Sequence, residues 1–122
     1  VALCNIDQPV IGNSLKPGAE LTARMGYFRF HGRNYENWFR EGAGRDARYD
    51  YLYSKDEVRQ LSMRIRRVQA RAGETYVITN NHFRGQALVN AMEILAELDA
   101  VPPAVPPPLA AAYPDRLGWA RR

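Results

Sequence analysis

Residues 54–79, Ser-Lys-Asp-Glu-Val-Arg-Gln-Leu-Ser-Met-Arg-Ile-Arg-Arg-Val-Gln-Ala-Arg-Ala-Gly-Glu-Thr-Tyr-Val-Ile-Thr, predict a capped helix followed by a strand. Ser54 and Glu57 have the spacing of a capping box, in which each side chain accepts a hydrogen bond from a backbone amide of the first turn. Apolar residues recur at steps of three and four, so the helix is expected over residues 55–72. The β-branched residues 75–79 then predict a short strand.

Two further strands are predicted on the N-terminal side of this helix. Residues 25–31 are rich in aromatic side chains and precede the breaker Gly-Arg-Asn, and residues 1–6 are a short apolar run ended by Asp7. The strand, helix and strand over residues 25–79 make a βαβ unit, whose two strands run parallel. The sequence therefore predicts an α/β fold with a parallel sheet.

The remaining segments are predicted as a loop, a second helix and a tail. Residues 34–48 are expected to form a long loop, and residues 85–98 a helix. Residues 1–98 would then make a partial α/β domain, and the proline-rich residues 99–122 an extended, polyproline-like tail. The predicted apolar face of the second helix comprises Leu88, Ala91, Met92, Leu95 and Leu98, with Glu93 and Glu97 outside it.

Composition predicts one ordinary domain, because 46% of the 122 residues are hydrophobic and 25% are charged. Cys4 is the single cysteine, so no internal disulfide is expected, a reducing compartment is favoured, and the side chain is interpreted as buried. Neither a membrane-spanning apolar run nor a signal peptide is evident, and the cytoplasm is the expected location. Val1 already lies in a predicted strand, and three strands leave sheet edges open. We therefore expect either a missing N-terminal half or self-association.

The net charge of +4 and the pI near 9.5 favour an anionic partner only weakly. The arginines lack a groove-reading motif and are predicted to form a solvated face. The alternative is a nucleic-acid-binding module in which Trp38, Tyr51 and Tyr53 stack on bases. The arginines in question are Arg59, Arg64, Arg66, Arg67, Arg71, Arg121 and Arg122.

Polar side chains follow all three predicted strands at the ends where parallel α/β folds bind their ligands. A carboxylate, two imidazoles, guanidinium groups and carboxamides suit a hydroxyl-rich or anionic ligand, such as a sugar, phosphate ester or nucleotide. His31 and His82 are the acid/base candidates and Arg33 is the candidate anion clamp. The candidate ligand-binding residues are Asp7, Arg33, Asn34, Asn80, Asn81 and Arg84.

Each candidate also has a purely structural interpretation. Asp7 fits a turn brace, and either asparagine of the pair Asn80-Asn81 fits a strand end. A metal held by Asp7, His31 and His82 is an alternative, but no local spacing supports it, so no metal site is predicted. The sequence contains no phosphate loop, no zinc motif and no credible nucleophile, so it predicts neither a cofactor nor a reaction. The protein could be an enzyme, a binding protein or a structural piece.

Three motifs in the same order resemble the YecE-like family of uncharacterised proteins, domain of unknown function seventy-two. They are residues 27–34, Tyr-Phe-Arg-Phe-His-Gly-Arg-Asn, followed by Trp38; residues 49–54, Tyr-Asp-Tyr-Leu-Tyr-Ser; and residues 80–87, Asn-Asn-His-Phe-Arg-Gly-Gln-Ala, followed by Asn90-Ala91. The resemblance implies a TIM-type barrel, of which this chain would match only the C-terminal portion, and it implies no established reaction.

Overall fold

The structure is a computed structural model that describes residues 1–10, 17–99 and 103–119. Three strands form one sheet in the order β1-β2-β3, and both neighbouring pairs are parallel. The strands are β1 (Cys4–Asp7), β2 (Met25–Phe30) and β3 (Glu74–Thr79). The helices are α1 (Tyr35–Trp38), α2 (Arg45–Arg48), α3 (Lys55–Gln69), α4 (Gln86–Leu98), α5 (Pro107–Ala112) and α6 (Pro114–Leu117). The predicted α/β class and parallel sheet are confirmed.

Helix α3 begins as the sequence predicts. The Ser54 hydroxyl accepts a hydrogen bond from the Glu57 amide at 3.1 Å, and the Glu57 carboxylate accepts one from the Ser54 amide at 2.9 Å. The helix ends three residues before the predicted boundary at residue 72. Its buried side consists of Val58, Leu61, Ser62, Ile65 and Val68. Helix α3 connects β2 to β3, which completes the predicted βαβ unit.

The core lies between α3 and one face of the sheet. Phe28 and Phe30 of β2 point to this face, and both side chains are buried against α3. Gly26 shares the face, and a Cβ atom there would lie 2.4 Å from Cγ1 of Val68, so the helix approaches the strand too closely for any side chain. Side chains alternate along a strand, so Tyr27 and Arg29 point to the opposite face, which is not covered by a helix in the described residues.

The predicted tail and loop contain short helices instead of extended chain. Two four-residue helices, α1 and α2, lie within residues 34–48. Helices α5 and α6 begin at Pro107 and Pro114, because proline is well tolerated in a first helical turn. Val105 and Leu117 pack against Val89 in a second core. Residues 100–102 and 120–122 lie outside the described residues, and so do the predicted surface arginines Arg121 and Arg122.

The predicted apolar face of α4 is only partly correct, because Met92 and Leu98 pack against the two cores but other members of the face do not. The buried side consists of Val89, Asn90, Glu93 and Ile94. Leu88 and Leu95 are 43% and 42% exposed. Residues 113–119 pack on α4 and bring Arg116 to Glu93. Glu93, which was predicted to lie on the surface, is therefore buried in an ion pair with Arg116 at 2.9 Å.

Two smaller predictions also need correction. Cys4 is only partly buried. Among the arginines near α3, Arg59, Arg66, Arg67 and Arg71 are exposed as predicted, but the Arg64 side chain is only 24% exposed and contacts Asp7. No helix in the described parts of the chain has both the length and the apolar character needed to cross a membrane.

Candidate functional site

Asp7 is the centre of a buried polar cluster at the carboxyl end of β1. Its side chain is 1% exposed and accepts two hydrogen bonds from Arg33, from Nε at 2.9 Å and from Nη2 at 2.8 Å. The Tyr53 hydroxyl donates to it at 2.7 Å, and Arg64 lies 3.3 Å away. Burial and the neighbouring Asp7 carboxylate raise the pKa of Tyr53, which therefore stays a neutral donor.

Arg33 connects this cluster to the start of α3. Its Nη1 donates to the Glu57 carboxylate at 2.8 Å, and Tyr51 donates its hydroxyl to the same carboxylate at 2.8 Å. The two guanidinium groups of Arg33 and Arg64 are thus balanced by the two carboxylates of Asp7 and Glu57. Hydrogen bonding to Asp7 raises the pKa of Arg33, so its charge is fixed. The Asp7 cluster comprises Asp7, Arg33, Tyr51, Tyr53, Glu57 and Arg64.

A second group of side chains at the ends of β2 and β3 brings the two histidines together. Tyr49 packs between them, with its ring centre 6.0 Å from that of His31 and 5.3 Å from that of His82. Trp38 closes the group, 5.5 Å from Tyr49 and 6.1 Å from His31. We name these four residues the histidine cluster.

Asn80 fixes the orientation of His31. Two donors of Arg29, Nε at 3.2 Å and Nη2 at 2.7 Å, face the Asn80 amide, so its side-chain oxygen must point toward them. The same oxygen lies 3.3 Å from Nδ1 of His31 and accepts the proton on that nitrogen. In the neutral ring, Nε2 then carries the free lone pair.

The ionisation of His31 follows from this environment. Burial lowers its pKa from the ordinary value of 6.5, and the positive charge of Arg29 lowers it further, against an opposing effect of Asp7. His31 is therefore a neutral imidazole at pH 7 and can accept a proton at Nε2.

The other predicted residues each contact neighbouring parts of the chain. Asn34 caps α1 by accepting from the Asn37 amide at 3.1 Å. Asn81 is fully buried and donates to the Tyr51 carbonyl at 2.7 Å, while its own oxygen has no partner among the described residues. Arg84 has a left-handed backbone with φ of 54°, and its guanidinium lies over the Phe83 ring. The His82 side chain is 42% exposed, and its Nε2 lies 3.3 Å from the Asp46 carboxylate.

The structure thus divides the predicted site into two. His31, His82 and Asn80 come together, whereas Asp7 and Arg33 bind each other under the start of α3. Sequence reasoning missed the roles of Arg29, Glu57 and Arg64. Arg29 had a usable signal, because residues two apart on a strand share a face and His31 follows it by two. For Glu57, the sequence predicts a role in capping the helix but gives no signal of its contact with Arg33.

Within residues 1–10, 17–99 and 103–119, no group of three or more His, Cys, Asp or Glu side chains is arranged to hold a metal ion, so the alternative set of Asp7, His31 and His82 is not assembled. Two cavities lie elsewhere. One of about 450 Å³ lies between α3, α4 and the residues around Arg116, and one of about 300 Å³ lies beside β3.

Comparison with known proteins reveals relatives along most of the chain. The UPF0759 protein YunF of Bacillus subtilis is 30% identical over 98 residues, which are 76% of this chain and 35% of YunF. The crystal structure of a DUF72 family protein from Thermotoga maritima has 38% identity and a TM-score of 0.75, over 80% of this chain and 36% of that one. A second, from Enterococcus faecalis, has 32% identity and a TM-score of 0.74, over 82% and 38%.

The chain spans little more than a third of the length of these relatives, which is consistent with the predicted C-terminal portion. The family described as "Protein of unknown function DUF72" matches residues 1–113. This match extends beyond the three motifs and includes α5. The chain therefore belongs to the DUF72 family of proteins of unknown function, as its motifs predicted.

Proposed function

We propose that the histidine cluster is part of a site for a polar, hydroxyl-bearing ligand, such as a sugar or a phosphate ester, at the strand ends of a TIM-type barrel. The observation that carries the proposal is the packing of both imidazoles against one ring, Tyr49. Trp38 and Tyr49 offer aromatic faces of the kind that pack against sugar C–H groups, and the imidazoles offer hydrogen-bonding nitrogens beside them.

In this site His31 is the general base. Its Nδ1 proton is held by Asn80, so Nε2 is available to take a proton from a ligand hydroxyl. His82 is the second acid/base candidate, and its Nε2 lies 3.3 Å from the Asp46 carboxylate. Arg29 and Asn80 are positioning residues, and Asn81 and Arg84 shape the end of β3 without a proposed ligand contact.

The Asp7 cluster supports this site from behind. Because Arg33 is already paired with two carboxylates, we assign it the role of holding β1, β2 and α3 together rather than that of a free anion clamp. Asn34 has a matching role in the segment that carries Trp38. The location of the protein in the cytoplasm remains a prediction.

The titration of His31 tests its assigned environment. We expect a pKa below 6.5 for His31, rising toward 6.5 in Arg29→Gln, because that variant removes the positive charge and one set of Asn80 contacts. Long-range ¹H–¹⁵N NMR spectra report both the pKa and the tautomer, and the chain contains only two histidines, so His82→Gln assigns the signals. The groups facing His31 are Arg29, Asp7, Asn80, Trp38 and Tyr49.

The control for this titration is Arg67→Gln, which removes an exposed arginine of α3 and should leave the pKa of His31 unchanged. The sign also fixes a stability trend. At pH values between the folded-state pKa of His31 and 6.5, His31 is protonated in the unfolded chain but neutral in the folded chain. The contribution of His31 to the free energy of unfolding therefore decreases as pH falls through this window. A proton on Nε2 of neutral His31, or a pKa above 6.5, contradicts the assigned environment.

Ligand titrations test the proposed function itself. We expect glucose 6-phosphate to shift the imidazole signals of both histidines saturably, and His31→Gln or His82→Gln to weaken binding tenfold or more. Inorganic phosphate and glucose, added separately, distinguish recognition of the anion from recognition of the sugar. Thermal shift with the same probes provides the second readout.

An oligonucleotide of thymidines is the competing probe. Tyr53 is fully buried, so it cannot stack on bases as one of the three aromatic residues of the nucleic-acid alternative. Tighter binding of the oligonucleotide than of the sugar phosphate, lost on neutralising Arg66 and Arg67, would nevertheless overturn the proposal. A response of neither histidine to any of these small molecules would favour a structural role.

A further inference from the structure

A series of buried hydrogen bonds runs from α6 to the carboxyl end of β3. Arg116 of α6 donates from Nε and Nη2 to the two carboxylate oxygens of Glu93 in α4, at 2.9 Å each. The Glu93 carboxylate also accepts from Nδ2 of Asn90 at 2.9 Å. Oδ1 of Asn90 accepts in turn from Nδ2 of Asn81 at 2.8 Å, just beyond the end of β3. We name these four residues the hydrogen-bond relay.

The relay holds the backbone of the segment that connects α2 to α3. Nδ2 of Asn81 donates to the Tyr51 carbonyl at 2.7 Å, and Oδ1 of Asn90 accepts from the Tyr53 amide at 3.0 Å. The Tyr53 carbonyl accepts from Arg116 and, at 3.4 Å, from Nδ2 of Asn90. Side chains from α4, α6 and the end of β3 therefore fix three backbone groups of this segment.

The two asparagines of the relay are chosen by their hydrogen-bonding groups. Asn90 is fully buried, accepts two hydrogen bonds and donates two, so all its capacity is used. Asn81 is also fully buried, and Nδ2 faces two acceptors, which fixes the orientation of its amide. Buried networks of this kind make the segments that they join rigid.

The histidine cluster is attached to both sides of this contact. Tyr49, whose ring packs between the two imidazoles, accepts a hydrogen bond at its carbonyl from the Tyr51 amide at 3.1 Å. A single tight turn thus connects Tyr49 to the carbonyl that Asn81 holds. On the other side, Asn81 directly precedes His82 in the chain. The contact between Asn81 and Tyr51 therefore joins the segment of Tyr49 to the strand end that carries His82.

We propose that the hydrogen-bond relay positions the histidine cluster, and that α6 through Arg116 fixes Tyr49 between the two imidazoles. The four relay residues are positioning residues, because they act on Tyr49 through the backbone of its segment. A ligand that binds between the imidazoles then requires α6 to be in place on α4, a consequence that rests on the proposed function. Loss of the Arg116 guanidinium frees the Tyr53 carbonyl and leaves Glu93 without its counter-ion.

NMR of the full chain without ligand tests the relay. The parent should show nuclear Overhauser contacts from the Tyr49 ring to both imidazoles, whose ring centres lie 6.0 and 5.3 Å away. Arg116→Gln should weaken both contacts at least twofold. Arg116→Lys should keep part of them, since an ammonium retains the charge beside Glu93 but not the paired hydrogen bonds.

Arg59→Gln is the matched control. Arg59 lines the same cavity as Arg116, but its side chain is 64% exposed and pairs with the exposed carboxylate of Asp56. The contacts between Tyr49 and the imidazoles should therefore be those of the parent in Arg59→Gln.

A double-mutant cycle separates the relay from a general loss of stability. Asn90→Asp interrupts the relay at its centre with a side chain of nearly the same shape, which places a second carboxylate beside Glu93. In this background Arg116→Gln should weaken the contacts of Tyr49 no further, because the connection is already broken. Independent effects of the two substitutions would add instead. Circular dichroism selects a temperature at which each variant is folded.

Binding provides the second readout. Arg116→Gln should weaken the affinity for glucose 6-phosphate at least tenfold, with partial recovery in Arg116→Lys. Parental contacts of Tyr49 in folded Arg116→Gln, additive losses in the cycle, or parental affinity where the parent binds would each overturn the proposal. If Arg116→Gln does not fold, parental contacts in both Arg116→Lys and Asn90→Asp would overturn it. A parent that binds no glucose 6-phosphate contradicts the proposed function alone, and the contacts of Tyr49 still decide on the relay.

Discussion

Replacing Asp7 with alanine should lower the free energy of unfolding by about 3–5 kcal/mol, the usual effect of removing one member of a buried ion pair. The carboxylate is 1% exposed and accepts hydrogen bonds from Arg33, Tyr53 and Arg64. Its loss leaves two guanidinium groups and a phenol without their acceptor in a buried position. Urea denaturation followed by circular dichroism measures the change.

The matched control for Asp7 is Asp56→Ala, which removes a carboxylate of α3 that is 84% exposed and pairs with Arg59. Exposed pairs contribute about 0–1 kcal/mol, so this variant should remain close to the parent. Asp7→Asn separates charge from shape, because the amide keeps the volume but cannot balance the two arginines. Equal stabilities for the Asp7 and Asp56 variants would show that the Asp7 cluster does not hold the strand ends together.

Glu93→Ala is expected to have the second-largest effect, a loss of about 3 kcal/mol. The Glu93 carboxylate accepts two hydrogen bonds from Arg116, at 2.9 Å each, and one from Asn90. These contacts attach the α6 region to α4, so the variant should also expose Leu117, which is 1% exposed in the parent. Urea denaturation measures the loss of stability, and proteolysis near residue 110 reports detachment.

Glu97→Ala is the control from the same helix. Glu97 is exposed four residues further along α4, and its backbone carbonyl accepts a hydrogen bond from Arg66. A change of about 0.5 kcal/mol or less is expected there, as at other surface positions. A Glu93 variant as mild as the Glu97 variant would indicate that the buried pair is not maintained in solution.

The fold could be predicted from sequence because its signals are local. The Ser54–Glu57 capping box, the apolar repeat of α3 and the β-branched run before Asn80 each depend on neighbouring residues, and all three are observed. The partner of α4 could not be predicted in this way. Its burial depends on Arg116, 23 residues beyond Glu93, and no local pattern predicts such a contact.

The sequence could predict that the polar side chains gather at the strand ends, but it could not predict which donor meets which acceptor. Parallel strand ends gather side chains at one edge, which explains why His31 and His82 come together. Which donor meets which acceptor depends on loops, and Tyr49 comes from the segment between α2 and α3, for which sequence gives no register. Arg33 was predicted to bind a ligand, and in the structure it pairs with two carboxylates that are distant in sequence.

The Asp7 cluster also bears on the order in which the chain folds. Asp7 is separated along the chain by 26 residues from Arg33, by 46 from Tyr53 and by 57 from Arg64. Contacts over such separations need long loops to close, and a chain whose central contacts are non-local folds slowly for its size. The capped α3 helix can form early from local interactions. We therefore expect the short β1 strand to be added late, when the arginines and Tyr53 are already in place to receive its carboxylate.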